Sequence, residues 1–295
     1  MLKGIKSNSG SMRPNTRHRQ GNSIVSGNTR DSQYNEKFNT ALQWMWGDGF
    51  LSPGGPEEVA TMLEGVDLRG CSVLDVGSGL GAVDVLLAEQ YGAVSIRGVD
   101  VEAHLIDEGR HRAELAGVSD KVQFQLIEPG PLPFAEASFD VVFTKDAIVH
   151  IPDKASFYRE VLRVLVSGGL FVGSDWLRGG EQTRTARAKN WLEFVHLNFQ
   201  MQDMAHTDAA MKAAGFMEPR FNDRNEWYRE AIKHEIASVS GERLRALGEE
   251  IGEIEAQYRH ESSIYKQEAI DDGFLRPTHF VAKKPGDPGT RLAAR

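Results

Sequence analysis

The stretch that most constrains the fold runs from Val73 to Ala82 and reads VLDVGSGLGA. An apolar run leads directly into Gly77, Gly79 and Gly81 and then into a helical pattern. Glycine is needed where a chain turns sharply or where a ligand comes too close for a Cβ atom. The spacing is GxGxG, whereas a dinucleotide fold uses GxGxxG to cradle a pyrophosphate, so we expect a nucleoside ligand without phosphates.

Short apolar runs alternate with helical patterns on either side of this loop. Strands are predicted at 72–76, 95–100, 122–126, 139–143 and 170–174, with helices at 82–91, 103–116 and 154–165. This alternation is typical of an α/β fold, a doubly wound parallel sheet with helices on both faces.

The pattern changes after the fifth strand. We expect helices at 183–204 and 207–214, a strand near 216–221, a long charged helical region at 226–260 and a last strand at 279–282. The insertion at about 224–275 would form a helical cap at the carboxyl edge of the sheet.

Composition excludes several classes of protein. The longest apolar runs are far shorter than the roughly 20 residues of a membrane-spanning helix, so we expect a soluble chain with no membrane partner. The single cysteine, Cys71, cannot form an internal disulfide and favours a reducing, cytoplasmic setting. No cluster has convincing metal-ligand spacing.

The net charge is −8, yet residues 1–30 carry six basic and no acidic side chains, which leaves −14 on the remainder. Such an acidic surface repels the phosphate backbone of a nucleic acid. We therefore expect a small-molecule partner and no nucleic acid. We expect a disordered basic tail at 1–30, a folded domain at 31–283 and a flexible tail at 284–295; an organelle transit peptide is the alternative for the first of these. The oligomeric state is left open.

Two acidic residues follow the next predicted strands. Asp100 closes the second strand, where a carboxylate can accept from both hydroxyls of a ribose. Glu128 follows the third strand, where it could accept from an adenine amino group or simply face solvent.

With VLDVGSGLG followed by an acid at the end of the next strand, the chain resembles class I S-adenosylmethionine-dependent methyltransferases. The resemblance implies a Rossmann-like sheet of seven strands with the last antiparallel, and S-adenosyl-L-methionine as cofactor. It also implies that Asp75 faces the methionine end of the cofactor and that Val101 contacts the cofactor beside Asp100.

Two further segments carry a closer resemblance. Residues 46–55 read WGDGFLSPGG and residues 145–154 read KDAIVHIPDK, and both are similar to segments of phosphoethanolamine N-methyltransferases. The second segment is also similar to sarcosine/dimethylglycine N-methyltransferases. Both families methylate the nitrogen of a small polar amine.

The closer resemblance implies roles for seven residues. Leu51, Ser52 and Lys145 would contact the cofactor, and Gln33 would lie with Tyr34 on a helix that closes over the site. Tyr34 and His150 match the family's pair that latches this lid and deprotonates the substrate, and Asp146 matches the acid that holds the substrate's ammonium.

The chemistry requires such residues independently of any family. An amine attacks a sulfonium methyl only when its lone pair is free, so a proton must leave. The unperturbed pKa of histidine, about 6.5, allows it to take that proton near neutrality. A nearby carboxylate is expected to raise the proton affinity of His150 and to attract a cationic substrate.

The phosphate-binding residues of the phosphoethanolamine enzymes are replaced. Residues 193–201 read EFVHLNFQM, so that Phe194, Asn198 and Gln200 stand where that family has tyrosines and an arginine, and Trp176 replaces a further tyrosine. We expect an aromatic wall that surrounds a methylated ammonium through cation–π attraction, or that forms core; its members are Trp176, Trp191, Phe194 and Phe199. Arg178 is the candidate to hold a substrate carboxylate, with Arg184, Arg187 and Lys189 as alternatives.

These observations predict an S-adenosylmethionine-dependent N-methyltransferase that acts on a small amine, amino-acid-like or phosphobase-like. The first alternative is the same fold acting on a thioether sulfur, a carboxylate or a carbon acid. A catalytically silent cofactor-binding protein and a nucleotide-binding oxidoreductase are alternatives of other classes.

Overall fold

In the computed structural model, which describes residues 34–195 and 199–286, one mixed sheet forms the centre of the fold. Its strands lie in the order β3-β2-β1-β4-β5-β7-β6, and β7 runs antiparallel to both of its neighbours. The strands are β1 (Ser72–Val76), β2 (Ser95–Asp100), β3 (Val122–Leu126), β4 (Phe139–Lys145), β5 (Leu165–Arg178), β6 (Met217–Asp223) and β7 (Leu275–Lys283). The predicted α/β class is therefore confirmed.

Helices cover both faces of the sheet because consecutive strand residues point to opposite sides. Val73 belongs to one core cluster with α2, α3 and α4, and Leu74 belongs to another with α5 and α7. The helices are α1 (Glu36–Trp46), α2 (Gly55–Met62), α3 (Ala82–Gln90), α4 (Ala103–Leu115), α5 (Lys154–Val164), α6 (Ala186–Val195), α7 (Met204–Ala214), α8 (Asn225–Ser238), α9 (Gly241–Ile251) and α10 (Glu253–Asp271).

The cap consists of α8, α9 and α10, inserted between β6 and β7. The charged region predicted at 226–260 is three helices rather than one. The chain breaks near Ser240 and again at Gly252, whose φ of 99° lies outside the helical region. These breaks allow α10 to pack against α6, α8 and α9.

Other predicted elements have different bounds. The fifth strand, predicted at 170–174, extends to Arg178 because Leu170–Arg178 pairs residue by residue with β7. The last strand, predicted at 279–282, spans Leu275–Lys283. Of the helix predicted over 183–204, α6 covers Ala186–Val195 and residues 199–203 are not helical; a separate helix, α7, begins at Met204, capped by the side chain of Asp203. Within the described ranges, no helix combines the length and apolarity needed to cross a membrane.

Candidate functional site

The glycine loop joins β1 to α3, and all three of its glycines have positive φ, between 54° and 82°. A Cβ on Gly77 would lie 2.3 Å from Cβ of Ala147, and one on Gly81 would lie 2.6 Å from the Phe124 ring. A Cβ on Gly79 would meet only the Leu51 side chain, at 3.3 Å. The sequence predicts that these glycines are needed for close approach of a ligand, but Gly77 and Gly81 are required by packing within the protein. Only Gly79 of the three has no close contact with a fixed protein atom at the position of a Cβ.

Asp100 holds the loop at the end of β2. Its Oδ2 accepts from the backbone amide of Gly79 at 3.0 Å, and its Oδ1 accepts from the amides of Val101 at 2.7 Å and Glu102 at 3.1 Å. A carboxylate has about four acceptor positions, so this fixed orientation leaves capacity for a further donor such as a ribose hydroxyl. Val101 beside it is half exposed.

Buried acidic residues lie beneath the loop. Asp75 in β1 and Asp84 in α3 are almost fully buried, and burial raises the pKa of both carboxyl groups. Oδ1 of Asp75, both carboxyl oxygens of Asp84 and the Ser78 hydroxyl have no hydrogen-bond partner among the described residues. An acidic, unsatisfied region beside a glycine loop fits a cofactor with cationic groups such as S-adenosyl-L-methionine.

Lys145 connects the end of β4 to the segment that precedes α2. Its Nζ donates to Ser52 Oγ at 2.6 Å, to the Pro53 carbonyl at 2.8 Å and to Asp146 Oδ2 at 3.3 Å. Lys145 therefore fixes the position of the Leu51–Pro53 segment, whose Leu51 lies against Gly79. The structure thus brings together the two sequence segments that carry the closer resemblance.

A cavity of about 300 Å³ opens beside this segment. Tyr34, Asp146 and His150 line it, as do Leu51 and Ser52. Other lining residues come from α1, β5, α6, the segment after α6 and the cap, and include Trp46, Trp176, Trp191, Phe199, Glu235, Arg259 and Lys266. Its volume is at the small end of the range for ligand pockets.

The Tyr34 hydroxyl and His150 Nε2 share a hydrogen bond of 3.1 Å between segments 116 residues apart. Burial, followed by the charges of Asp100 and Asp146, raises the pKa of Tyr34, which keeps the phenol protonated. Burial, and then the Lys154 ammonium, lowers the pKa of His150 to about 4, although Asp146 acts in the opposite direction. Asp146 thus raises the proton affinity of His150 as expected, but burial and Lys154 outweigh it and the net pKa shift is downward.

Asp146 follows β4 with a φ of 57°, a strained value for a residue with a side chain. Two contacts to β5 hold it there: its amide donates to the Ser174 carbonyl at 2.9 Å, and the Ser174 hydroxyl donates to its Oδ1 at 2.7 Å. Its carboxylate is about 10% exposed and lines the cavity.

The aromatic wall forms only in part as predicted. Trp176 packs at 6.1 Å from Trp191 and at 5.5 Å from Phe199, between ring centroids, and all three residues line the cavity. The cation near Trp176 is the protein's own Lys266, whose Nζ lies 5.6 Å from the ring centroid and 2.6 Å from Glu235 Oε1.

Two predicted substrate residues lie elsewhere. Phe194 is not among the cavity lining, because its ring stacks on Tyr258 at 4.7 Å. Arg178 lines a different cavity, of about 260 Å³, where it pairs with Glu181 and Asp203.

The remaining predictions concern residues away from the cavity or outside the described ranges. Glu128 is an exposed residue after β3. Gln33, Asn198 and the tail at 1–30 lie outside the described residues, as does the end of the chain from 287. In the described part of the chain, no group of three or more acidic, histidine or cysteine side chains could hold a metal ion.

The sequence reasoning missed the contribution of the cap to the cavity. Glu235 comes from α8, and Arg259 and Lys266 come from α10, within charged helices that give no local signal of a binding role. Lys154, which influences His150, was visible as the final residue of the KDAIVHIPDK segment.

The comparisons with known proteins agree with this geometry. A family model described as a methyltransferase domain matches residues 67–241. Phosphoethanolamine N-methyltransferase 1 of Arabidopsis thaliana is 28% identical over 218 residues, which cover 74% of this chain and 43% of that protein. The chain thus spans less than half the length of this relative.

Two solved structures share the fold. Phosphoethanolamine N-methyltransferase 2 of Haemonchus contortus, in complex with phosphomonomethylethanolamine and S-adenosylhomocysteine, matches with a TM-score of 0.79 and 21% identity, over 86% of this chain and 58% of that one. A sarcosine/dimethylglycine-type methyltransferase of Galdieria sulphuraria matches with a TM-score of 0.68 and 20% identity, over 78% of this chain and 82% of that one.

Proposed function

Because the chain belongs to the methyltransferase domain family and has the class I S-adenosylmethionine-dependent methyltransferase fold, we propose that it methylates the nitrogen of a small zwitterionic amine. One observation carries the proposal. The Asp146 carboxylate and the neutral pair of Tyr34 and His150 line the same cavity as two cations of the cap, Arg259 and Lys266.

The cofactor would lie along the carboxyl ends of β1 and β2. Asp100 would accept from the ribose hydroxyls, Gly79 would allow close approach of the loop, and Asp75 would face the cationic methionine end. When bound, S-adenosyl-L-methionine supplies a methyl group on a sulfonium sulfur that an amine lone pair can attack. Ser52, fixed by Lys145, borders both this region and the cavity.

The amine end of the acceptor would lie at Asp146, because a carboxylate attracts an ammonium. There it would be close to the hydrogen-bonded pair of Tyr34 and His150, called the dyad below. Tyr34 Oη would receive the amine proton as its own proton passes to His150 Nε2 over the 3.1 Å hydrogen bond. His150 is neutral at neutral pH, so its Nε2 is available as an acceptor, while its low pKa makes it a weak base that takes the proton only as the methyl group is transferred. The remaining contribution is alignment of two reactants, which can supply a large part of the acceleration.

The acidic end of the acceptor would lie toward α10. Arg259 and Lys266 both line the cavity, so the cap supplies cations, whereas residues 193–201 lack the arginine of the phosphoethanolamine enzymes. Each already has a carboxylate partner, Glu255 and Glu235 respectively. An incoming phosphate or carboxylate would share these cations, and a guanidinium can bind either group in a bidentate manner.

Both phosphobases and amino acids have this zwitterionic character. The relative from Arabidopsis thaliana is named as a phosphoethanolamine enzyme, which makes phosphoethanolamine and its monomethyl derivative the first acceptors to test. Glycine, sarcosine and dimethylglycine form the second set, and ethanolamine serves as the control that lacks an acidic group.

The experiment is a methyl-transfer screen by mass spectrometry, preceded by titration calorimetry with S-adenosylhomocysteine. We expect binding of S-adenosylhomocysteine and methylation of a zwitterionic amine in preference to ethanolamine. Equal rates with ethanolamine would refute the acidic-end assignment. Methylation of only a thioether acid, with activity retained in His150→Ala, would refute N-methylation, because a thioether needs no base.

A matched pair of variants tests the role of the cap. Arg259→Met removes a cation that lines the cavity. Arg243→Met removes a cation of α9 that lies over the Trp44 ring and does not line the cavity. We expect Arg259→Met to raise KM for the acceptor by about tenfold or more, the effect of losing roughly one charged hydrogen bond. Arg243→Met should leave KM unchanged, and equal effects of both would contradict the assignment.

A further inference from the structure

The short 3₁₀ turn that carries the dyad histidine, Ile148–His150, is held by two buried ionisable residues that the mechanism above does not use. Lys154 opens α5 and Asp175 lies in β5, and each is about 3% exposed. Charged residues are rarely buried to this extent without a specific partner. Both direct their charged groups at the backbone of this turn.

The contacts cover successive peptide groups of the turn. The Lys154 ammonium donates to the Ile148 carbonyl, and the Val149 amide donates to Asp175 Oδ1 at 2.7 Å. The Val149 carbonyl accepts from the Gln200 amide at 2.7 Å. The position of the imidazole is thus fixed through the backbone of the turn.

The burial of this pair is costly. Burial lowers the pKa of Lys154, and it raises the pKa of Asp175 to about 7 against the opposing effect of Lys154. The desolvation penalty of a buried charge can exceed its electrostatic gain, so apolar replacements are often neutral or stabilising. Stability of the core therefore does not account for the pair, whereas its place beside the histidine does.

The ionisable groups that face His150 come from four parts of the chain. Tyr34 shares its Nε2, Asp146 raises its pKa, and Lys154 lowers it. Asp175 faces the turn through the Val149 amide, and the Phe199 ring covers the imidazole at 5.5 Å between centroids. Lys154 is therefore the cation in this group that opposes protonation of the ring.

We propose that Lys154 and Asp175 are positioning residues for methyl transfer, which hold the Ile148–His150 turn so that the imidazole stays against Tyr34. This inference rests on the proposed function of the dyad. Lys154 and Asp175 act on the reaction only through His150.

The test compares Lys154→Met with Lys284→Met. Lys284, which follows β7, also donates its Nζ to a backbone carbonyl at 2.7 Å, but that carbonyl belongs to Leu165 at the start of β5, away from the dyad. The pKa of His150 is measured by NMR titration of histidine-labelled protein, with His150→Gln to assign the resonance. Loss of the Lys154 charge should raise this pKa by about one unit. Lys284→Met should not move it.

A second readout uses the acceptor identified in the screen. Lys154→Met should lower kcat by about tenfold or more with little change in KM, since misplacement of a reacting group mainly costs rate. Lys154→Arg, which keeps the charge, should restore most of this activity. If Lys154→Met does not fold, Lys154→Gln removes the charge and keeps a donor.

An unchanged pKa of His150 in the charge-removing variant would overturn the proposal. So would equal effects of Lys154→Met and Lys284→Met on kcat. The NMR measurement needs no acceptor, so failure of the positioning role is distinguishable from failure of the proposed N-methylation, which shows only in the methyl-transfer screen.

Discussion

The neutral state of His150 predicts how stability depends on pH. The pKa of this side chain is lowered from 6.5 to about 4, first by burial and then by Lys154. In the unfolded chain it returns to its ordinary value, so below pH 6.5 the unfolded state binds a proton that the folded state excludes. The stability associated with His150 is therefore complete above pH 6.5 and is lost as pH falls toward 4.

The magnitude follows from the two pKa values. This difference in pKa corresponds to about 3 kcal/mol when the titration is complete. The same linkage gives a loss of about 2 kcal/mol at pH 5 relative to pH 7, and of roughly 1 kcal/mol or less at pH 6. These losses are large beside a typical domain stability of roughly 5–15 kcal/mol.

The assay is urea unfolding of the unaltered protein and of His150→Gln at pH 7, 6 and 5. Glutamine is a polar replacement that does not titrate. Buried acids such as Asp75 and Asp175 are present in both proteins, so their contributions cancel in the difference. The stability of the unaltered protein relative to the variant should fall by about 2 kcal/mol between pH 7 and 5. A difference that stays constant over this range would refute the reasoning.

Three other changes have defined outcomes. Tyr34→Phe removes the hydroxyl from the dyad and should lower kcat by about tenfold or more, with unchanged affinity for S-adenosylhomocysteine by calorimetry; a weakened affinity would assign Tyr34 to cofactor binding instead. Gly77→Ala places a Cβ 2.3 Å from Ala147 and should lower Tm more than Gly79→Ala, whose Cβ meets only a flexible side chain, and the reverse order would contradict the packing argument. Glu58→Gln breaks a buried ionic cluster with Arg224 and His279 and should cost about 3–5 kcal/mol in urea unfolding; a loss below about 1 kcal/mol would show that the cluster is not important for stability.

The central sheet was predictable because its signals are local. The strands at 72–76, 95–100 and 122–126 have the predicted bounds, since each is a short apolar run between turn residues or helices. The bounds of β5 were not predictable from its own sequence. Its last residues, Asp175 to Arg178, become strand through pairing with β7, about 100 residues later in the chain.

The candidate site divides in the same way. Asp75, Asp100, Asp146 and His150 follow strands or lie within recognisable segments, so the sequence indicates their place at the sheet edge. The cavity wall depends on tertiary packing. The sequence places Phe194 and Arg178 near it because both follow the predicted strand at 170–174, but in the structure Phe194 stacks on Tyr258 and Arg178 pairs with Asp203.

Tyr34 lies two residues before α1 and not on a helix, contrary to the prediction, so the Tyr34–His150 dyad depends on the edge of the sheet as well as on α1. The Tyr34 carbonyl lies 2.7 Å from His104 Nε2 and accepts from Asn39 Nδ2 at 3.0 Å. His104 lies in the first turn of α4, four residues after Asp100, so the loop that would hold the ribose also anchors the tyrosine. His150 is anchored separately, through the backbone contacts of its turn with α5 and β5. The 3.1 Å bond between Tyr34 and His150 therefore joins two anchored segments, and its geometry is set by the carboxyl ends of the central strands.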